Sequence, residues 1–306
     1  MTSPGGSGPG GDHASSAPDT ATVEDPDELV AANEIAWDRA ALKYEANVER
    51  DVADLRAGRG SLLDPERRLL GDLTGIGRAI HLQCSHGQDA LSLLGLGVHQ
   101  VVGVDISRAM LDQAQRKSNA LGANALWIHG DVLDVPSRFD GSAGLVYTGR
   151  GALPWVHDLD RWASVVARLL EPGGRLLVHE GHPIEDVWDS HARTYRLDPG
   201  GRGYFDGRAR RNETFPASAV SRFTPAGETV PSAWEWFRTL GEVVTAVAGA
   251  GLRVEVLEEH PEPFWERFPN MGADELGRLP HSYSLVARRA GQPPKKENPV
   301  PQASDR

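Results

Sequence analysis

Residues 79–107, AIHLQCSHGQDALSLLGLGVHQVVGVDIS, contain the pattern that decides the fold. The short apolar run at 79–82 predicts a strand, and the polar turn at 85–88 precedes an amphipathic segment with leucines at helical spacing. A β-branched run at 101–104 then stops at Asp105. A buried parallel strand that ends there delivers the Asp105 side chain to the carboxyl edge of a sheet, where ligands bind in doubly wound folds.

Strand and helix patterns alternate on both sides of this stretch. Helices are predicted at residues 27–56, 64–73, 107–121, 158–170 and 232–250, with Asp64 as N-cap of the second and Pro65 at its first position. Further strands are predicted at residues 125–129, 144–148, 175–178, 253–257 and 282–287, with a turn at 171–174. Right-handed crossovers between such strands predict an α/β, doubly wound, mostly parallel sheet, to which the last two strands add an antiparallel edge.

Composition places the chain among soluble globular proteins. It has 306 residues, of which 40% are hydrophobic, and a mean hydropathy of −0.39. No apolar run approaches the roughly 20 residues that a membrane-spanning helix needs, and the N-terminal stretch lacks the basic and apolar regions of a signal peptide. With Cys84 as its single cysteine, the chain is expected to be cytoplasmic and free of internal disulfides.

The charge of the chain argues against a nucleic-acid partner. The formal net charge is −11 and the isoelectric point is about 5.5, whereas phosphate binding needs a concentrated basic surface. The dense basic cluster is Arg208, Arg210 and Arg211. It could meet an anionic substrate, or it could be a solvated loop.

Three residues at predicted strand ends bear on the ligand. Gly87 in the first turn allows close backbone approach, and Asp105 can accept hydrogen bonds from both hydroxyls of a ribose. A dinucleotide would favour three glycines at the first turn, but the turn has only Gly87. Asp131, after the third strand, can accept from an exocyclic adenine amine. Together these features favour S-adenosylmethionine over a nicotinamide cofactor.

Several motifs resemble those of one enzyme family. They are HLQCSHGQDALSLLGLG, VVGVDIS, HGDVLDVP, LVYTGRGALPWVHDLDRWASVVARLLEPGGRLLVHEGHP and WFRTLGEVVTAVAGAGLRVEVLEEHP. In this order they resemble the class I S-adenosylmethionine-dependent methyltransferases, and most closely the bacterial small-molecule group with an HLQC first motif. The resemblance covers about residues 30–289. It implies a Rossmann-like seven-stranded sheet with an antiparallel seventh strand, and methyl transfer from a sulfonium to a nucleophile.

The resemblance also implies a division of the chain. Residues 26–289 would form the methyltransferase domain, between disordered tails at 1–25 and 290–306. Within the domain, an N-terminal helical lid is expected at 26–73, the cofactor-binding core at 79–182, a substrate cap insertion at 183–231, and a C-terminal helix and strands at 232–289. The insertion has no periodicity, and so long a loop usually covers an active site.

Roles in cofactor binding follow from the resemblance, position by position. The residues implied are Gln83, Cys84, Ser85, Gly87, Asp105, Ile106, Asp131, Val132, Thr148 and Gly149. Asp105 would hold the ribose, Ile106 would pack on adenine, and Asp131 with Val132 would contact the adenine edge. The family's acidic residue in the first motif is replaced here by His81 or Gln83, which leaves the partner of the cofactor's amino group open.

Methyl transfer needs positioning above all, and a base only where the acceptor arrives protonated. His182, just past the fifth strand, is the leading candidate for that base, with His157, His179 and Glu180 behind it. The alternative is that His182 caps a helix or packs a loop. A metal site at Glu180 and His182 lacks a third ligand at suitable spacing, so no metal is expected.

Aromatic residues crowd the segments outside the sheet. They are Trp37, Tyr44, Trp155, Trp188, Tyr195, Tyr204, Phe205, Trp234, Trp236, Phe264, Trp265 and Phe268. Their number predicts a closed hydrophobic pocket for a small acceptor, although each could instead belong to the core of the lid. The predicted pocket residues are Trp37, Tyr44, Trp155, His182, Trp236 and Arg238, the last standing where the family tends to have histidine.

Two other functions stay open at this point. One is a nicotinamide-dependent oxidoreductase on the same sheet, which the missing glycines weaken. The other is a methyltransferase-like binding protein without catalysis.

Overall fold

The computed structural model describes residues 25–212 and 214–291. The predicted tails at 1–25 and 290–306 lie outside these residues, except for Asp25, Ala290 and Gly291. None of the helices in the described ranges is long and apolar enough to cross a membrane.

The first predicted helix is two helices. Helix α1 is Pro26–Ala40 and α2 is Val48–Arg56, and two 3₁₀ turns, Ala41–Lys43 and Glu45–Asn47, separate them. The prediction of one helix over 27–56 was therefore wrong. The break changes the direction of the chain, so that α1 packs on a later helix of the cap while α2 packs on the helix after the second strand.

Helix α3, Asp64–Leu70, is shorter than predicted and begins one residue earlier. Asp64 is its first helical residue, and the preceding Leu63 occupies the N-cap position. The Glu66 carboxylate accepts the Leu63 N–H at 2.6 Å, which satisfies a donor that the helix itself leaves free.

The central strands and helices follow the predicted order. They are β1 Arg78–Leu82, α4 Gln88–Leu94, β2 Gln100–Asp105, α5 Arg108–Leu121, β3 Ala125–His129, β4 Ala143–Gly149, α6 Leu159–Leu169 and β5 Leu170–Gly181. Ser107 caps α5 by accepting the Met110 N–H at 3.1 Å, and Gly122 ends it in the left-handed conformation. The predicted turn at 171–174 is an irregular stretch inside β5, where the register with β4 shifts between Ala143 and Leu145.

The cap insertion contains short elements. A 3₁₀ turn, Pro183–Val187, follows β5, and β6 Ala209–Arg211 and α7 Ala217–Phe223 come later. The prediction of a helix over 232–250 was wrong for residues 232–239, because β7, Trp234–Trp236, pairs there antiparallel with β6. Helix α8, Leu240–Gly249, begins after Thr239, whose hydroxyl and Glu242 form a reciprocal cap.

The chain ends in the predicted antiparallel pair. Strand β8 is Leu252–His260, a short helix α9 is Ala273–Leu276, and β9 is Ser282–Arg289. The seven-stranded sheet has the order β3-β2-β1-β4-β5-β9-β8, in which β1 to β5 are parallel and β9 runs antiparallel to β5 and β8. The predicted Rossmann-like fold class is confirmed.

Apolar side chains alternate between the two faces of the sheet. Ile80, Val102 and Val146 belong to a core beneath α6 and α8, in which Trp162 is fully buried. Their neighbours Ala79 and Val101 belong to a second core with residues of α3 and α4. Because both faces are covered, the carboxyl edge of the parallel strands is the open side of this part of the molecule.

Helix α1 covers part of that edge. The Asn33 side chain accepts the Trp234 N–H at 2.6 Å and donates to the Trp234 carbonyl at 2.8 Å, which joins α1 to β7. Ala36 and Ala40 are fully buried in a cluster with α7. Small side chains let the two helices approach closely, and together they form a roof over the sheet edge.

Candidate functional site

A cavity of about 1580 Å³ lies between the sheet edge and this roof. Its floor is formed by the residues that follow β1, β2, β3, β4 and β5, and its walls come from α1, the cap insertion and the segment between β8 and α9. Ligand pockets typically measure about 300–1,000 Å³, so the cavity can hold more than one small molecule.

Most of the predicted cofactor residues line the cavity. They are Gln83, Cys84, Ser85, Asp105, Ile106, Asp131, Val132 and Gly149. Thr148 does not line it, because its side chain is fully buried and its hydroxyl donates to the Leu82 carbonyl at 3.2 Å. The strand alternation turns Thr148 into the core, which corrects the prediction for this residue.

Gly87 is also absent from the cavity wall, and its role differs from the one predicted. Its backbone is left-handed, with φ +77°. A Cβ atom at this position would lie 2.6 Å from the Cβ of Ala114 and 2.7 Å from the Trp127 ring. The glycine therefore permits close packing of the first turn against α5 and β3. The close approach of its backbone is to the Ala114 and Trp127 side chains, whereas the prediction was an approach to the ligand.

Asp105 holds the first turn and the second turn together. Its Oδ2 accepts the Ser85 N–H at 2.7 Å and its Oδ1 accepts the Ser107 N–H at 2.9 Å. Burial raises the pKa of Asp105 to about 6, although these two N–H groups oppose the shift. Each carboxylate oxygen can accept a second hydrogen bond, so the side chain remains able to hold two hydroxyls of a ligand.

Three non-glycine residues on the wall have left-handed backbone. They are Gln83 at φ 57°, Ser85 at φ 50° and Arg150 at φ 59°. Such conformations cost about 1–3 kcal/mol each and concentrate at functional sites. The Gln83 Nε2 donates to the Ala152 carbonyl at 2.7 Å, which leaves the buried Oε1 without a hydrogen-bond partner among the described residues.

Glu180 fixes the loop after β4, here called the floor loop (residues 150–153). Its Oε2 accepts the Gly151 N–H at 2.6 Å, and its Oε1 accepts the N–H groups of Ala152 at 2.7 Å and Leu153 at 3.0 Å. Burial raises the pKa of Glu180 to about 7 against these hydrogen bonds. Because all three of these hydrogen bonds come from backbone N–H groups, Glu180 fixes the orientation of the floor loop.

His182 lines the cavity, but both of its ring nitrogens are engaged. Nδ1 accepts the Ile184 N–H at 3.1 Å, so the proton is on Nε2, which donates to Glu259 Oε1 at 2.9 Å. No lone pair is left to receive a proton from an acceptor. These contacts match the capping alternative and argue against the prediction of His182 as a base.

Aromatic rings form the roof side of the wall. Trp37 packs edge-on against Trp155, with ring centroids 5.2 Å apart, and against Phe215 at 5.6 Å. Tyr44 packs on His86 at 4.4 Å. Of the predicted pocket residues, Trp37, Tyr44, Trp155, His182 and Arg238 line the cavity. Trp236 is buried behind the wall, where its ring packs on His157 at 5.9 Å.

The wall is more polar than the predicted hydrophobic pocket. Seven arginines line it, namely Arg150, Arg202, Arg208, Arg210, Arg211, Arg238 and Arg267. Arg150 pairs with Asp89 and donates to the Ser61 carbonyl at 3.0 Å. Asp89 and Arg150 were not predicted as site residues. Their local signals are an acidic residue in the first turn of α4 and an arginine between two glycines after β4.

Comparison with known proteins identifies a domain. Residues 79–174 match the model of a family described as "Methyltransferase domain". The chain is 32% identical over 168 residues to an uncharacterized 37.1 kDa protein in transposon TN4556 from Streptomyces fradiae, covering 54% of this chain and 41% of the relative. The chain spans about half or less of the length of the first two curated relatives that it matches.

Solved structures share the fold. An S-adenosylmethionine-dependent methyltransferase from Mesorhizobium loti aligns with a TM-score of 0.54 and 23% identity over 73% of this chain and 95% of that chain. A structure from Listeria monocytogenes aligns over the same shares with a TM-score of 0.54 and 19% identity. These likenesses concern the fold.

Proposed function

The chain contains a methyltransferase domain, built on the fold of the class I S-adenosylmethionine-dependent methyltransferases, and from this premise we propose that it methylates a small molecule. A methyl group would pass from S-adenosylmethionine to the acceptor by in-line displacement, yielding S-adenosylhomocysteine. The observation that supports this most directly is the cavity, whose floor brings together Asp105 and Asp131 at the ends of adjacent strands.

The floor residues fit the cofactor. We assign Asp105 to the ribose hydroxyls, and Ile106, Asp131 and Val132 to the adenine, as their positions after β2 and β3 favour. Gln83 Oε1 is buried without a partner among the described residues, and an ammonium group would satisfy it. We therefore assign Gln83, rather than His81, to the place of the family's acidic side chain in the first motif.

The cofactor supplies an electrophilic methyl group on a cationic sulfur, and the residues of the chain supply position. Trp37, Trp155 and Phe215 would exclude water and hold the acceptor against the floor. For an acceptor that arrives protonated, we assign His157 as the proton acceptor. It lines the cavity, and neither ring nitrogen has a hydrogen-bond partner among the described residues.

The enclosure of the cavity and the net charge of the chain support a small acceptor. The cavity is enclosed by a roof, and the chain carries a net charge of −11, which disfavours a nucleic-acid substrate. We place the protein in the cytoplasm, because its single cysteine offers no internal disulfide.

Calorimetric titration with S-adenosylmethionine, S-adenosylhomocysteine and NADH tests the proposal. The first two should bind. Asp105→Ala should weaken the binding of both ligands about 10- to 100-fold, which is the loss of affinity expected when hydrogen bonds to a charged group are removed. Asp134→Ala is the matched control, since Asp134 is exposed and pairs with Arg161 away from the cavity.

Binding of NADH alone would contradict the proposal. Cofactor binding without a methylated product, over a broad panel of phenols, amines, thiols and carboxylic acids, would favour a binding protein without catalysis.

A further inference from the structure

The acceptor side of the cavity, meaning the wall formed by residues 155–157, 198–212, 234–238 and 264–267, carries six of the lining arginines. Four of them pair with three carboxylates. The ion pairs are Arg202–Glu235, Arg208–Asp206, Arg210–Asp206 and Arg267–Asp186. Arg211 and Arg238 have no carboxylate within ion-pair distance among the described residues. One positive charge is thus shared between Arg208 and Arg210 over a single carboxylate, while Arg238 and Arg211 are the wall arginines without any carboxylate partner among the described residues.

Arg238 is the better placed of the two. Arg211 is exposed, whereas Arg238 is half-buried at the end of β7. One nitrogen of its guanidinium, Nη2, donates to the carbonyls of Val156 at 3.2 Å and His157 at 2.6 Å. These contacts hold the side chain against the wall.

The other nitrogens of Arg238 lack partners. Nε is buried and has no hydrogen bond among the described residues, and no contact to Nη1 occurs there either. Burial lowers the pKa of Arg238, and the more distant Glu242, Asp158 and Asp160 offset this in part. A buried N–H without an acceptor costs about 1–3 kcal/mol, so this guanidinium is incomplete without a further anion or acceptor.

The residues around Arg238 indicate which chemical groups the rest of a ligand would carry. Trp155, Val156 and Phe237 line the same wall and present apolar surface, and the backbone carbonyl of His157 accepts from the guanidinium. Guanidinium groups recognise carboxylates and phosphates through planar paired hydrogen bonds.

We propose that Arg238 is an anion-binding subsite for the acceptor, and that the acceptor is therefore an apolar, aromatic molecule with a carboxylate or phosphate group. The inference rests on the proposed function for the assignment of this wall to the acceptor. An anionic group held at Arg238 would place the body of the acceptor next to His157 and under the aromatic roof.

Fluorine NMR titrations test the subsite without turnover. The probes are 4-fluorobenzoate, 4-fluorophenyl phosphate and the neutral 4-fluorobenzamide, each added to the full chain with and without S-adenosylhomocysteine. At least one anionic probe should bind about tenfold more tightly than the amide, as a charged hydrogen-bonded pair predicts. The tighter of the two anions identifies the group.

Arg238→Met should remove that preference, while Arg208→Met, at a cavity arginine already paired with Asp206, should retain it. Arg238→Lys keeps the charge and should retain part of the preference, so it replaces the methionine variant if that variant does not fold. Equal binding of the anions and the amide to the wild type, or an unchanged preference in Arg238→Met, would overturn the subsite. Failure of S-adenosylhomocysteine to bind would instead contradict the proposed function.

Discussion

At the scale of single residues, Asp105 links cofactor binding to pH. Its pKa is raised to about 6 by burial, and under the proposed assignment the ionised form is the one that would accept two ribose hydroxyls. Affinity for S-adenosylhomocysteine should therefore be constant above pH 7 and fall as the pH drops through about 6, by up to tenfold per pH unit. Calorimetry between pH 5 and 8 measures this dependence.

Asp105→Asn separates this effect from other titrations. The variant should bind more weakly at pH 7.5 and lose the inflection near pH 6, because its amide does not titrate. An inflection that survives in Asp105→Asn would assign the pH dependence to another group.

Gly87 tests how tightly the first turn is packed. Gly87→Ala forces a Cβ within 2.6 Å of Ala114 and keeps a left-handed backbone, so it should destabilise the fold by about 2–4 kcal/mol. Gly122→Ala is the matched control, since its φ is +61° but nothing lies within 4 Å, and it should cost about 1 kcal/mol. Urea unfolding of both variants provides the comparison, and equal losses would show that crowding at Gly87 is relieved.

Residue roles were predictable where chain position alone sets them. Asp105 follows a buried strand, and the strand carries it to the cavity. The roles of Gly87 and His182 depended on distant partners, Trp127 in one case and Glu259 in the other. No local pattern in the sequence shows which side chain will fill the space beside a glycine or satisfy a ring nitrogen.

At the scale of elements, the floor loop depends on one carboxylate. Glu180→Gln leaves one acceptor oxygen for three N–H groups and turns an NH₂ group toward the backbone. We expect a loss of stability of about 2 kcal/mol and weaker binding of S-adenosylhomocysteine at pH 8. The difference in stability from wild type should widen below about pH 7, because folded wild type takes up a proton on Glu180 there and gains stability, whereas the amide of the variant does not titrate.

Thermal denaturation and calorimetry at pH 6 and 8 measure both effects. Glu171→Gln, at an exposed position of the same strand, should match the wild type. A Glu180→Gln variant with unchanged stability and affinity at pH 8 would show that the loop keeps its shape without the carboxylate.

Element boundaries were least predictable near the roof. Trp234 and Trp236 fit a helical pattern with the residues that follow, yet they pair with β6 and with Asn33 of α1. The Thr239 and Glu242 cap was a local signal for the true start of α8. Strands β1 to β5 were placed well, because buried parallel strands carry their own apolar runs.

At the scale of the whole molecule, the sheet and the roof differ in how their contacts are distributed along the chain. The parallel strands and their helices occupy one continuous segment, so the order of patterns was enough to predict the sheet. The roof combines α1 with the cap insertion through contacts such as Asn33 with Trp234, 201 residues apart. Single-sequence patterns contain no information on such pairings, which is why the sequence left open whether Arg208, Arg210 and Arg211 face a ligand and did not place Arg202 and Arg267 beside them.

The same separation has a consequence for biosynthesis. Arg39 of α1 donates to the Phe223 carbonyl at 3.1 Å, and the two residues are 184 positions apart in the chain. On the ribosome, α1 emerges long before the cap that it packs against, while the parallel strands can pair as they are made. The nascent chain is therefore expected to pass through a stage in which the parallel strands are paired and Trp37 is still uncovered, and this is the stage at which a chaperone would be of most use.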